Sequence, residues 1–122
     1  MEEEEGPLRV AVVGPCVSGK SEVVAALRAA GYDARHVVQE HSYAPRMWQQ
    51  ISRPDVLVFL DVDYQAARAR RPTITWGPER LEEQAGRLAH ARDHCDLYVD
   101  TSPLSVEEVQ NRVLSFLREE RG

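Results

Sequence analysis

The stretch LRVAVVGPCVSGKS, residues 8–21, decides how this chain is read. Gly14, Gly19, Lys20 and Ser21 satisfy the pattern G-x-x-x-x-G-K-[ST] residue for residue. That pattern cradles phosphate when it follows a strand and opens a helix. Residues 8–13 form a nearly continuous apolar run of β-branched character, the mark of a strand buried on both faces. Beyond Ser21, Val23, Val24, Ala26, Leu27 and Ala30 fall at helical spacing, and Gly31 supplies a stop. A glycine-rich turn lets several backbone N–H groups converge into an anion nest, and a helix N-terminus adds positive potential. Residues Gly14, Pro15, Cys16, Val17, Ser18, Gly19, Lys20 and Ser21 are therefore candidate phosphate-binding residues. Lys20 would reach the outer phosphates, and the Ser21 hydroxyl would ligate Mg²⁺. With Gly and Lys each at roughly 7% of residues, four such positions match by accident in well under about 1% of chains this short. Of fifteen Lys and Arg residues, Lys20 is the only lysine. A chain that otherwise uses arginine throughout has a compact, flexible ammonium at the nest. The bland alternative is a glycine-rich β-to-α turn with no ligand.

The whole chain sets the bounds. A length of 122 residues suits one domain with one core. Residues 7–122 are expected to form it, behind a disordered acidic leader over 1–6. Hydrophobic content of 43% and charged content of 29% are those of a water-soluble globular protein. A net charge of −5 argues against a general nucleic-acid binder. No apolar run approaches a membrane span, and the acidic N-terminus is no signal peptide. Cys16 and Cys95 are too few for a disulfide scaffold. A cytoplasmic protein with free thiols is expected.

Strands and helices alternate, with no repeat or linker. A second strand is predicted over 35–39, centred on Val37 and Val38, with Glu40 and His41 at its C-terminal end, where open α/β sheets bind ligands. Pro45 suits the first position of a short helix over 45–52, with Met47, Trp48 and Ile51 as its apolar stripe. A third strand covers 56–60 and ends at Asp61. Asp63 is the expected N-cap of a helix over 64–71 carrying Arg68, Arg70 and Arg71; Pro72 stops it, and 72–77 form a loop. A longer helix begins at Pro78 or Glu79, with Leu81, Ala85, Leu88, Ala89, Arg92 and Cys95 along its inward side. A fourth strand covers 97–99. Ser105 and Glu108 make a capping box for a last helix with Val106, Val109, Val113, Leu114 and Leu117 facing the core. The pattern predicts an α/β three-layer sandwich with four parallel strands in the order 2-1-3-4.

With the loop, the VLVFLDV run at 56–62 and the closing DLYVDT run at 96–101 read together, most of residues 8–117 resembles the P-loop small-molecule and nucleoside-monophosphate kinases, shikimate kinase-like members being the nearest. The resemblance implies a P-loop NTPase fold, ATP and Mg²⁺ as cofactors, and an arginine-bearing lid to which Arg68, Arg70 and Arg71 correspond. It also implies that the loop after the last strand, with Thr101 and Pro103, packs on the adenine. The chain departs from the family in having one fewer strand, a single short helix between strands two and three, and a lid of about six residues. The acceptor pocket is then small, shared with a second subunit in a homodimer, or absent. The guanine-reading N-K-x-D motif cannot occur in a chain whose only lysine is Lys20.

Two acids compete for Mg²⁺. Asp61 ends an apolar strand, as metal-organising acids do in many such proteins, but the resemblance puts it one strand away from the usual position. Glu40 is the other candidate, as holder of the metal's water or as base toward an acceptor hydroxyl. Arg70 and Arg71 are candidates to offset phosphate charge. His90 and His94, at i and i+4, lack a third strong zinc ligand nearby. Oxidation of Cys16 inside the loop would block binding. The expected function is phosphoryl transfer from Mg-ATP to a small hydroxyl-bearing acceptor or to water, through Lys20, Glu40, Arg70 and Arg71. The alternative is a nucleotide- or phosphate-binding regulatory module with little turnover.

Overall fold

The computed structural model describes residues 7–121. The leader expected over residues 1–6 lies outside the described residues, as does the side chain of Ile51. The elements are β1 (Arg9–Val13), α1 (Lys20–Ala29), β2 (Asp33–His36), a 3-10 turn (Gln39–His41), α2 (Met47–Ser52), β3 (Val56–Asp61), α3 (Tyr64–Arg70), α4 (Pro78–His94), β4 (Leu97–Asp100) and α5 (Val106–Arg121). The four strands form one all-parallel sheet in the order β2-β1-β3-β4. This agrees with the expected strand count, direction and order.

Successive side chains on a strand point to opposite faces, so each strand feeds two cores. Val10, Val12, Val58, Leu60 and Val99 pack against Val23 and Leu27 of α1 and Val113 and Leu117 of α5. Ala11, Val13, Leu57 and Phe59 pack against Trp48 of α2 and Leu88 and Ala91 of α4. Helices thus cover both faces, as a parallel sheet requires. None of the described helices is long and apolar enough to cross a membrane.

Local signals set several element ends. The Asp63 side chain accepts from Ala66 N at 2.7 Å and caps α3. Ser105 and Glu108 bond reciprocally through Ser105 N to Glu108 Oε1 (2.8 Å) and Glu108 N to Ser105 Oγ (3.1 Å). Other expectations are corrected. β2 runs over Asp33–His36, not 35–39. Val37 still donates to Val12 O (3.2 Å), but Val38 has turned outward and is 47% exposed. Pro45 precedes α2 by two residues and is not its first helical residue. On α4 the inward residues are Gln84, Leu88 and Ala91; Ala85, Ala89 and Arg92 face outward. Val106, at the open first turn of α5, is 57% exposed.

The turn after β1 depends on a close approach. A Cβ on Gly14 would lie 2.0 Å from the Leu60 carbonyl oxygen of β3, at a φ of +155°. The only relief is for backbone to move. Gly14→Ala should therefore lose roughly 3 kcal/mol or more of stability, measured by urea unfolding. A midpoint equal to wild type would remove this contact as the reason for glycine.

Candidate functional site

The C-terminal ends of the strands open onto a cleft of about 420 Å³. Its floor is the β1–α1 loop from Cys16 to Ser21, and His36 and Glu40 form one side. Arg70, Arg71 and Thr101 form the other, while Leu104, Val106 and Val109 supply an apolar end.

The loop takes its shape from three left-handed or near-left-handed residues. Gly14 and Gly19 are glycines, but Val17, at φ 65°, is β-branched, which makes it a strained residue. Ser18 N donates to Pro15 O (3.3 Å). Gly19 is the N-cap of α1 and no side chain caps that end, so the orphan N–H groups of the first turn face the cleft-side loop uncapped.

Lys20 points back into the loop. Its Nζ donates to Gly14 O (2.6 Å), Pro15 O (3.1 Å) and Glu40 Oε2 (2.8 Å), which uses all three ammonium donors. The pair is deeply buried, with side chains 5% and 3% exposed. Two buried oxygens lack a hydrogen-bond partner among the described residues: Ser18 Oγ and Glu40 Oε1. Both residues line the cleft, and such orphans in a folded chain mark a place for a ligand, ion or water. Beside them, burial lowers the pKa of His36 below its ordinary value, and the Lys20 charge lowers it further.

Arg70 is a clasp. Its guanidinium donates to Val17 O (2.9 Å), to Thr101 Oγ1 (3.1 Å) and to Thr101 O. Thr101 is fully buried and ties its own hydroxyl to Asp61 O (2.7 Å). Arg71 lines the cleft. Arg68 bonds Tyr64 Oη (3.4 Å) on its own helix. Two of the three arginines thus reach the cleft.

Asp61 and Pro103, expected at the site, are not among the residues lining the cleft. Asp61 shares a strand face with Leu57 and Phe59, the face toward α4. There Oδ2 accepts from the Tyr98 hydroxyl (2.5 Å) and Oδ1 from Val62 N (2.9 Å). Burial and this carboxylate push the Tyr98 pKa up to about 12. Gly14 and Pro15 contribute carbonyls to Lys20 rather than cleft wall. His90 and His94 stack at 4.1 Å. His90 Nδ1 accepts from Trp48 Nε1 (3.2 Å) and His94 Nδ1 lies 2.8 Å from His90 O, so both Nδ1 atoms are already engaged.

Three supporting residues went unread in the sequence: His36, Gln84 and Arg87. Gln84 is fully buried on α4. Its Oε1 accepts from Cys16 N (3.0 Å) and its Nε2 donates to Cys16 Sγ (3.2 Å). One turn on, Arg87 donates to Glu40 O (3.3 Å) and its own carbonyl accepts from Gln39 Nε2 (3.4 Å). One helix therefore holds both the phosphate-pattern loop and the turn that carries Glu40. The available signal was a glutamine on the same helical stripe as Leu88.

No family model and no curated protein matches the chain. Gln84→Leu conserves size and leaves Cys16 N without its acceptor. It should cost about 1–3 kcal/mol of stability, read by denaturant unfolding, with faster hydrogen exchange at the Cys16 amide. Unchanged exchange at that amide would show that the loop does not depend on Gln84.

Proposed function

We propose that this chain is a P-loop nucleotide-binding protein of pared-down kinase type, which uses Mg-ATP to transfer a phosphoryl group to a small hydroxyl-bearing acceptor or to water. The observation that carries this reading is Lys20. It is the only lysine, buried in the first turn of an uncapped helix, and it is ion-paired at 2.8 Å to the buried Glu40 carboxylate, both residues lining the cleft. The two-faced parallel sheet, with its ligand cleft at the strand ends, is what a three-layer P-loop fold requires.

The residues present fit the groups this function needs. The uncapped first turn of α1 and the orphan Ser18 Oγ suit phosphate oxygens. Ser21 and Glu40 line the cleft as hard oxygen donors for Mg²⁺. Glu40 is favoured over Asp61 because its Oε1 is unpartnered within the cleft, whereas both Asp61 oxygens accept bonds outside it. Bound Mg²⁺ supplies charge neutralisation on the phosphates. Lys20 exchanges its carbonyl partners for phosphate oxygens while staying near Glu40. Arg70 keeps Val17 and Thr101 in register, so the loop holds one shape. Arg71 offsets charge from the opposite wall. If Ser21 alone supplies the protein's ligand to Mg²⁺, Glu40 Oε1 would instead orient the attacking hydroxyl or water and take its proton. ATP use goes with a cytoplasmic location, and both cysteines are free.

One observation favours a second reading, a nucleotide- or phosphate-binding regulatory module with little turnover. Between β2 and β3 there are only a 3-10 turn and the six-residue helix α2, with no subdomain to hold an acceptor.

Calorimetric titration with ATP and Mg²⁺ tests the proposal. Wild type should bind one equivalent. Lys20→Ala removes charge-assisted hydrogen bonds worth about 1.5–3 kcal/mol, so affinity should fall roughly 10–100-fold. Glu40→Gln should abolish the Mg²⁺ dependence. Asp61→Asn should bind within about twofold of wild type, inside the ±0.5 kcal/mol of a change remote from the site. Absence of binding by wild type defeats the nucleotide reading. Binding without phosphate release, with or without hydroxyl acceptors, selects the module.

A further inference from the structure

At the edge of the cleft, a thiol and an imidazole that the proposed function does not use lie beside Glu40. Cys16 Sγ, on the loop, lies 3.8 Å from His41 Nε2, on the 3-10 turn. The same imidazole nitrogen lies 3.8 Å from Glu40 Oε2. A thiol sulfur, an imidazole nitrogen and a carboxylate oxygen all fall within 4.8 Å of one another. They come from two separate segments, the β1–α1 loop and the 3-10 turn beyond β2.

We infer that Cys16, Glu40 and His41 form a three-ligand site for a borderline-soft divalent cation of the Zn²⁺ class, distinct in chemistry from any Mg²⁺ site in the cleft. Three features carry the inference. The first is the donor set. Sulfur, nitrogen and carboxylate oxygen together suit Zn²⁺ and its neighbours, whereas Mg²⁺ takes oxygen alone. The second is reach. Zn–S and Zn–N bonds of about 2.3 and 2.0–2.1 Å let two ligand atoms of one ion lie at most about 4.4 Å apart. The 3.8 Å between Cys16 Sγ and His41 Nε2 and the 3.8 Å between His41 Nε2 and Glu40 Oε2 are inside that limit, and the third separation, Cys16 Sγ to the Glu40 carboxylate, is no more than 4.8 Å, so the remaining adjustment falls to the Cys16 and Glu40 side chains. The third is Glu40. It is 3% exposed, and Oε1 has no partner among the described residues. The carboxylate can keep Lys20 on Oε2 and offer Oε1 to a cation.

The surroundings also suit a metal-bound sulfur. Gln84 Nε2 already donates to Cys16 Sγ (3.2 Å), the kind of hydrogen bond that orients a metal ligand. Binding converts the Cys16 thiol to a thiolate: an S–metal bond forms, the S–H bond breaks, and the proton passes to solvent. Three protein ligands would leave a fourth position for water or an anion oxygen. The ion would tie the loop to the 3-10 turn and take Glu40, so it should oppose Mg-nucleotide binding at the same loop. The metal site itself does not rest on the nucleotide reading.

The experiment is titration of the full chain with Zn²⁺ alone, and with Co²⁺ as a spectroscopic stand-in, under reducing conditions. Wild type should bind one equivalent, release a proton, and show a near-ultraviolet thiolate–Co²⁺ charge-transfer band. Cys16→Ser should lose the band. Cys16→Ser and His41→Ala should each weaken binding by more than the roughly 10–100-fold that loss of a supporting hydrogen bond costs. His90→Ala with His94→Ala, on the far side of the sheet from α1, should change neither. A Co²⁺ complex without the thiolate band overturns the site. So does Zn²⁺ affinity unchanged in both Cys16→Ser and His41→Ala, or affinity lost only with the His90 and His94 changes. Because the probe is the metal alone, failure of ATP to bind leaves this test intact.

Discussion

The buried ion pair between Lys20 and Glu40 organises the cleft. Removing two charges from water costs several kcal/mol each, and the cost is offset only when the remaining donors and acceptors are satisfied. Lys20 meets that condition through Gly14 O and Pro15 O. The loop must therefore curl back over its own lysine, and it does so with Gly14 pressed against the Leu60 carbonyl. Glu40 meets it only in part, since one oxygen has no partner among the described residues. The pair thus explains both the turn's shape and the residual chemical demand in the cleft. Sheet order makes it achievable. β2 lies beside β1, with Val12 opposite His36, so a turn just beyond β2 brings Glu40 to the base of the loop.

Around that pair the chain spends side chains on position more than on contact with a ligand. Gln84 holds Cys16, Arg87 holds the Glu40 carbonyl, and Arg70 joins Val17 to Thr101. These bonds come from α3 and α4, elements distant in sequence from the loop. They fix the loop from two sides, and Val17 keeps a positive φ between them. Strain at a β-branched residue persists only where its surroundings over-determine it. The Arg70 bond to the Val17 carbonyl is one such restraint.

The sheet was legible because β1 after Arg9 and β3 before Asp61 are apolar runs, and alternation with helices leaves few parallel topologies. The loop was legible because four residue types stand at fixed offsets. What was not legible followed from direction, which sequence spacing underdetermines. Asp61 closes β3 as an acid should, but strand alternation aims it at Tyr98. Val37 and Val38 favour strand, yet pairing stops near them because the chain must turn to deliver Glu40. On α4 the hydrophobic spacing admits two neighbouring stripes. The buried one contains Gln84, whose amide is satisfied by a loop 68 residues away. Composition penalises a buried glutamine; tertiary hydrogen bonding accepts it.

The short connections also constrain chemistry. Transfer to a hydroxyl in preference to water requires that water be kept from the reacting phosphate. Here Ser21, Arg71 and Val106, all on the cleft lining, are exposed, and the 72–77 segment between α3 and α4 is tied back by Tyr64 Oη to Trp76 O (3.1 Å). An isolated chain of this shape has no wall to exclude solvent on that side. A phosphoryl group held there would meet water first, unless the acceptor or a second chain covers the exposed lining. Under the proposed function, selective transfer would therefore require an occupant of that side; without one, the same residues would support only slow hydrolysis or binding.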